Sequence, residues 1–168
     1  MKKRSARRTR IGEIPILLHL LDEAYGNPAW YGPSLKAALR GLTARQAAWR
    51  PAPGRHNIRE LAMHAAYWKW IVRRRLTGEK GGSFPIKGNN WPELPALSEE
   101  AWRAEREMLE KAHQRLRETV ARFSAARLTT VLAGTRRRTA LREIAGIALH
   151  DVYHTGQIQL LKALRKKQ

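Results

Sequence analysis

The sequence predicts an all-α fold: a four-helix bundle with an additional short helix and a long loop between the second and third long helices. Three observations lead there. Apolar residues recur at helical spacing along most of the chain. Helix-start and helix-stop residues bracket those stretches. No alternating run of β-branched residues with hairpin turns interrupts them. At 168 residues one domain is the simplest division, and an apolar content of 43% suffices for a hydrophobic core.

The first helix is expected over residues 11–25, where Ile14, Leu17, Leu18 and Leu21 form an apolar stripe and Gly26 ends it. The stretch NPAWYGP, 27–33, reads as a loop. A short helix follows, with Pro33 at its first position and Gly41 beyond its end. Thr43 with Gln46 reads as a capping box that opens a turn reaching about Trp49. Asn57 with Glu60 reads as a second capping box, starting a helix that runs to about residue 76 before Gly78. Residues 78–97 are rich in Gly, Pro and Asn, and a loop of that length is often functional. Ser98 followed by Glu99 and Glu100 suits a helix start, because acidic side chains favour the positive end of the dipole. That helix is expected to reach Phe123. Thr139 can cap the last one, which continues to about residue 165. Because 78–97 is so long, the bundle need not be a simple up-and-down arrangement.

The net charge is +19, carried at the N-terminus, in Arg73–Arg75, in Arg136–Arg138 and at the C-terminus. Such a charge attracts polyanions and steers small anionic substrates. No nucleic-acid motif organises it, so nucleic acid is a weakly supported partner and a solvated basic surface is the plainer reading. The opening MKKRSARRTR is read as a basic disordered tail, residues 1–10, ahead of a single helical-bundle domain over 11–168. Glu13, Pro15 and His19 break the apolar run that a signal peptide would need. No stretch approaches the roughly 20 apolar residues of a membrane span, so no membrane partner is expected. The chain has no cysteine. That removes disulfides and thiolate chemistry of its own, and it suits a cytoplasmic location.

The chemistry-bearing residues are histidines. His150 and His154 stand about 40° apart on one face of the last helix, a spacing that lets two imidazoles share one divalent cation. The alternative is a pair of core or surface histidines with other partners. The last helix is apolar nearly all round, so it is expected to lie centrally. Buried imidazoles need partners, and one ion can serve both. His64 lies on the Leu61, Trp68, Ile71 stripe of the second long helix and can supply a third nitrogen from a facing helix. Three protein ligands leave a coordination position for water or substrate, as in catalytic zinc sites. His19, His56 and His113 are weaker candidates, Asp151 reads as a neighbour of the site or a surface group, and Glu60 is accounted for by its cap.

The segments NIRELAMHAAYWKWIVRRRL and HDVYHTGQIQLL, together with AWYGPSL, resemble the DinB/YfiT-like superfamily of metal-dependent bacterial proteins. The resemblance covers residues 13–163. It implies a four-helix bundle, often a homodimer, with nickel or zinc on His64, His150 and His154. It also implies, for some members, transfer of a low-molecular-weight thiol of the bacillithiol or mycothiol type to an electrophile. Other members have no established activity, and a hydrolase or a non-catalytic metal-binding stress-response or ligand-binding protein are the alternative readings of this chain. Relatives often carry histidine where this chain has Tyr31.

Trp30, Tyr31, Trp68 and Gln157 are the pocket candidates. Trp68 lies one turn from His64 and can wall a pocket, and Trp30 and Tyr31 can close its mouth. Ordinary packing is the competing reading for all three. Gln157 can hydrogen-bond near the metal. Gly156 can instead permit close helix packing. No paired carboxylates and no Ser-His-Asp arrangement are legible, so no catalytic residue is assigned from the sequence.

Overall fold

The computed structural model describes residues 11–166, so the basic tail expected over 1–10 lies outside the described residues. These residues form six α-helices and no strand; the two isolated β-bridges pair Ala29 with Gly32 and Val131 with Thr139. The helices are α1 (Glu13–Tyr25), α2 (Leu35–Leu39), α3 (Ala44–Ala48), α4 (Ile58–Thr77), α5 (Glu99–Ala121) and α6 (Ala140–Arg165). The turn expected after Thr43 is thus a short helix of its own. A single 3-10 turn occupies Ala125–Arg127.

The caps act as their residue types dictate. Both capping boxes form: Thr43 and Asn57 accept from the backbone of Gln46 and Glu60, whose side chains return the bond. Ser98 and Thr139 accept from the third residue of α5 and α6. Gly78 closes α4 in the left-handed conformation at φ 70°, where a side chain would be strained.

The four long helices close a ring in which α1 touches α6 and α5, and α4 touches α5 and α6. The departure from up-and-down order therefore lies elsewhere than expected. The long loop 78–98 joins neighbours, α4 and α5. The connections that cross a diagonal are 26–57, which carries α2 and α3, and 122–139. Short helices can span a diagonal because they bury their own apolar side chains on the way: Leu35, Ala38 and Leu39 are buried, and α2 packs on α6.

Two apolar clusters fill the bundle. One gathers α2, α3 and the first half of α4 around Trp102, whose indole donates to the Leu42 carbonyl at 2.8 Å. The other lies between α1, the end of α5 and the first half of α6. Two buried ion pairs tie the rods together. Arg59 of α4 pairs with Glu105 of α5 and also donates to the Pro95 carbonyl at 3.3 Å, fastening the long loop. Lys69 of α4 pairs with Asp151 of α6, and neither side chain reaches solvent. Asp151 is therefore not a surface group. Burial pushes its carboxyl above the usual range, and the Lys69 ammonium opposes that shift.

The apolar circumference of α6 does not make it central. Leu149, Tyr153 and Leu160 are 68%, 65% and 60% exposed, and Leu164 is exposed with them. In a ring of four rods every helix keeps an outer face, whatever its composition. Gly146 and Gly156 lie on that outer face, where an added Cβ would meet nothing within 4 Å, so Gly156 does not serve close packing.

Candidate metal centre

His64 in the first half of α4 and His150 and His154 in the middle of α6 converge across the α4–α6 contact. The Nε2 atoms of His64 and His150 are 3.0 Å apart, and those of His154 and His150 are 3.1 Å apart. One nitrogen from each of the three lies within 4.8 Å of the others, a set able to hold a metal ion.

The hydrogen bonds behind the rings decide where their protons sit. His64 Nδ1 is 2.7 Å from the Asn90 carbonyl, which can only accept, so Nδ1 carries the proton and Nε2 is a bare lone pair. His154 Nδ1 is 2.6 Å from Gln157 Oε1, with the same consequence. Two lone pairs then face His150 Nε2, which has at most one proton to offer. His150 Nδ1 is itself buried without a partner. A cation bonded to all three Nε2 atoms resolves this arrangement. Nitrogens held at about 2.0–2.1 Å from a tetrahedral ion lie about 3.3 Å from one another. The two separations from His150 need open by only a few tenths of an ångström, and the third pair lies within 4.8 Å.

Burial sets the charge state. Desolvation pushes His64 down to about 4 and His150 to about 3, and it lowers His154 as well. The Asn90 and Gln157 bonds act in the opposite direction, while the neighbouring imidazoles reinforce the lowering at His64 and His150. All three rings are neutral at pH 7, the form that binds metals.

The long loop supplies two residues that the sequence reading passed over. Asn90 orients His64 through its carbonyl and accepts from the Trp68 indole on Oδ1 at 2.6 Å. Trp91 stacks between His64, at 4.1 Å, and His56, at 3.5 Å. His56 is in turn 3.0 Å from Glu60 Oε2, so the Glu60 cap also steadies this stack. The only available signal was the loop's unusual length, because side chains on an irregular segment share no periodic face.

Two cavities adjoin the histidines. One of about 610 Å³ opens beside His64 and His150 and is walled by Trp68 and Val72. The other, about 520 Å³, opens beside His154 and Gln157, with Trp91 and Tyr153 in its wall. Trp30 and Tyr31 line neither. Trp30 is 93% exposed and meets Tyr31 edge-on at 6.3 Å. The Ala29–Gly32 bridge folds this stretch into a tight turn ahead of α2. Among the remaining histidines, His113 is buried and stacked on Tyr25 at 3.9 Å, and His19 is exposed beside Glu23.

A comparison with curated proteins gives no match. A crystal structure described as a conserved protein of locus from Enterococcus faecalis shares the fold, with a TM-score of 0.69 at 16% identity, covering 95% of this chain and 100% of that one. A family model of the DinB superfamily matches residues 33–158, which include all three convergent histidines. With three quarters of its length inside that match and a helical bundle to go with it, the chain belongs to the DinB superfamily.

Proposed function

We propose that His64, His150 and His154 hold a divalent ion, nickel or zinc, and that the protein is a metal-dependent transferase joining a low-molecular-weight thiol to an electrophile. The observation that carries the metal is the convergence of three imidazoles, with His150 Nε2 at 3.0 Å from that of His64 and 3.1 Å from that of His154, all three within 4.8 Å of one another, and the His64 and His154 nitrogens stripped of protons by Asn90 and Gln157. When bound, the ion supplies a positive charge that makes a thiol or a water acidic near neutral pH. The protein's own part is to present neutral imidazoles, to fix their tautomers, and to keep the remaining side of the centre dry with Trp68 and Trp91. The chain has no cysteine, so the sulfur must arrive with its cofactor. Two cavities beside one centre suit a reaction of two molecules, and this favours an enzyme over a metal used only as a structural clip.

The test is elemental analysis of the purified protein, followed by calorimetric titration of zinc and nickel into chelated protein. One ion per chain is expected, with His154→Ala abolishing uptake. A screen of thiols with electrophiles then follows. Absence of uptake by the chelated wild-type chain would sink the metal reading, and uptake without thiol consumption would leave a binding protein.

The outer face of α6 supports a homodimer as its quaternary state. Leu149, Tyr153, Leu160 and Leu164 form an exposed apolar row from its middle to its end, unlike the polar outer face of α5.

A further inference from the structure

The cavity beside His64 and His150 has two chemically different ends. Next to the imidazoles its wall is apolar, made by Trp68, Val72, Ile147 and Leu149. At the other end Arg75, Arg138 and Arg142 face one carboxylate, Glu143. Glu143 is fully used: Arg75 donates to Oε2 at 2.8 Å, and Arg138 binds Oε1. Arg75 is further held by the Gly134 carbonyl at 3.2 Å. The Arg142 side chain has no hydrogen bond or ion pair among the described residues. The first N–H groups of α6 are taken by Thr130, Leu128 and Thr139. Excess positive charge at this end therefore resides on guanidinium groups rather than on the helix terminus.

The backbone here is strained in a way that function would explain. Arg136 and Arg137 both have positive φ, at 49° and 68°, and they are the only non-glycine residues with positive φ among those described. Such conformations are unfavourable for residues with a side chain and persist where the surroundings impose them. Here buried Thr135 imposes them: its hydroxyl accepts from the Arg138 amide at 3.0 Å, closing the turn that brings Arg138 to the cavity.

We propose that this cavity binds a small organic anion with an apolar body: the acid group lies on Arg142 and Arg138, the body runs over Trp68 and Val72, and the opposite end meets the histidine centre. The proposal rests on the metal reading only for that last contact. It assigns the substrate class, an amphiphilic acid reacting at the end remote from its charge. The volume, about 610 Å³, is that of a site for an organic molecule rather than for a lone inorganic ion.

Octanoate, 1-octanol and octylammonium test the assignment by calorimetry, each with chelated and with zinc-loaded protein. Octanoate should bind about tenfold more tightly than octanol, with octylammonium weakest. Arg142→Gln should weaken octanoate about fivefold, because the guanidinium is partly solvated, and leave octanol unchanged. Gly146→Leu should block octanoate and octanol while the melting temperature and zinc uptake persist, since Gly146 lines the cavity from an outward position with room for a side chain. Equal affinity for acid and alcohol overturns the proposal. So does octanoate binding that survives Gly146→Leu, which would place the acid elsewhere, as in the basic cavity of Arg73, Lys111 and Arg115. Binding that needs zinc and ignores Arg142→Gln puts the carboxylate on the ion and also overturns it. If the chain takes up no metal but octanoate still depends on Arg142, the metal reading fails and the anion site stands.

Discussion

Gln157 is the side chain on which His154 depends. Its Oε1 holds the Nδ1 proton in place and so turns the lone pair of Nε2 toward the other rings. Partners of this kind typically affect metal affinity by 10- to 100-fold. Gln157→Leu should therefore weaken zinc binding about tenfold without abolishing it, and Gln157→Glu should restore most of the loss, as read by competition with a chelating dye. His64 is oriented by a backbone carbonyl, so no substitution at Asn90 removes that acceptor. Asn90→Leu instead frees the Trp68 indole, and its effect belongs to the cavity rather than to the ligand set.

Among the contacts between helices, the buried Lys69–Asp151 pair controls the rotation of α6 against α4. Asp151 follows His150 directly, so a turn of α6 that separated the pair would also swing the imidazoles off His64. Lys69→Met strands a buried carboxyl and should cost about 3–5 kcal/mol by chemical denaturation, while Lys69→Met with Asp151→Leu should recover most of it. Metal affinity should fall in the single variant and partly return in the double. The outer row of α6 makes a separate prediction. Leu160→Lys with Leu164→Lys places two charges on an exposed surface, so the fold should stand. A homodimer seated on that row should become a monomer in sedimentation. An unchanged assembly would locate the contact elsewhere.

Taken as a whole, the molecule carries three buried imidazoles and one half-buried one, that of His150, and protonation of any of them opposes folding. Burial holds His64 near 4 and His113 and His150 near 3, and His154 is lowered too, against an ordinary value of 6.5. Above pH 6.5 these rings are neutral in both the folded and unfolded chain and leave stability unchanged. Below it the unfolded chain takes up protons that the folded one refuses, so stability falls as pH drops from about 6.5 toward 3. The melting temperature of chelated protein should follow that course. His113→Phe removes one such ring away from the metal centre and should flatten the decline. Zinc-loaded protein should start higher and fall more steeply, because acid also releases the ion. The charge of +19 adds self-repulsion, which salt should relieve.

Helix positions and the histidine spacing were legible in the sequence because they are local and periodic. A capping residue acts within three positions, an apolar stripe repeats every three or four, and two histidines four apart on one helix must share a face. Residues on irregular chain were not legible. Asn90, Trp91 and the Arg136–Arg138 turn reach their places through loop conformation, which no period encodes. Burial of Asp151 depended on a lysine 82 positions away. The crossing of the bundle diagonals, and the exposure of an apolar α6 face, follow from how four rods share one core. Composition states how apolar a surface is. Only packing decides which part of it is covered.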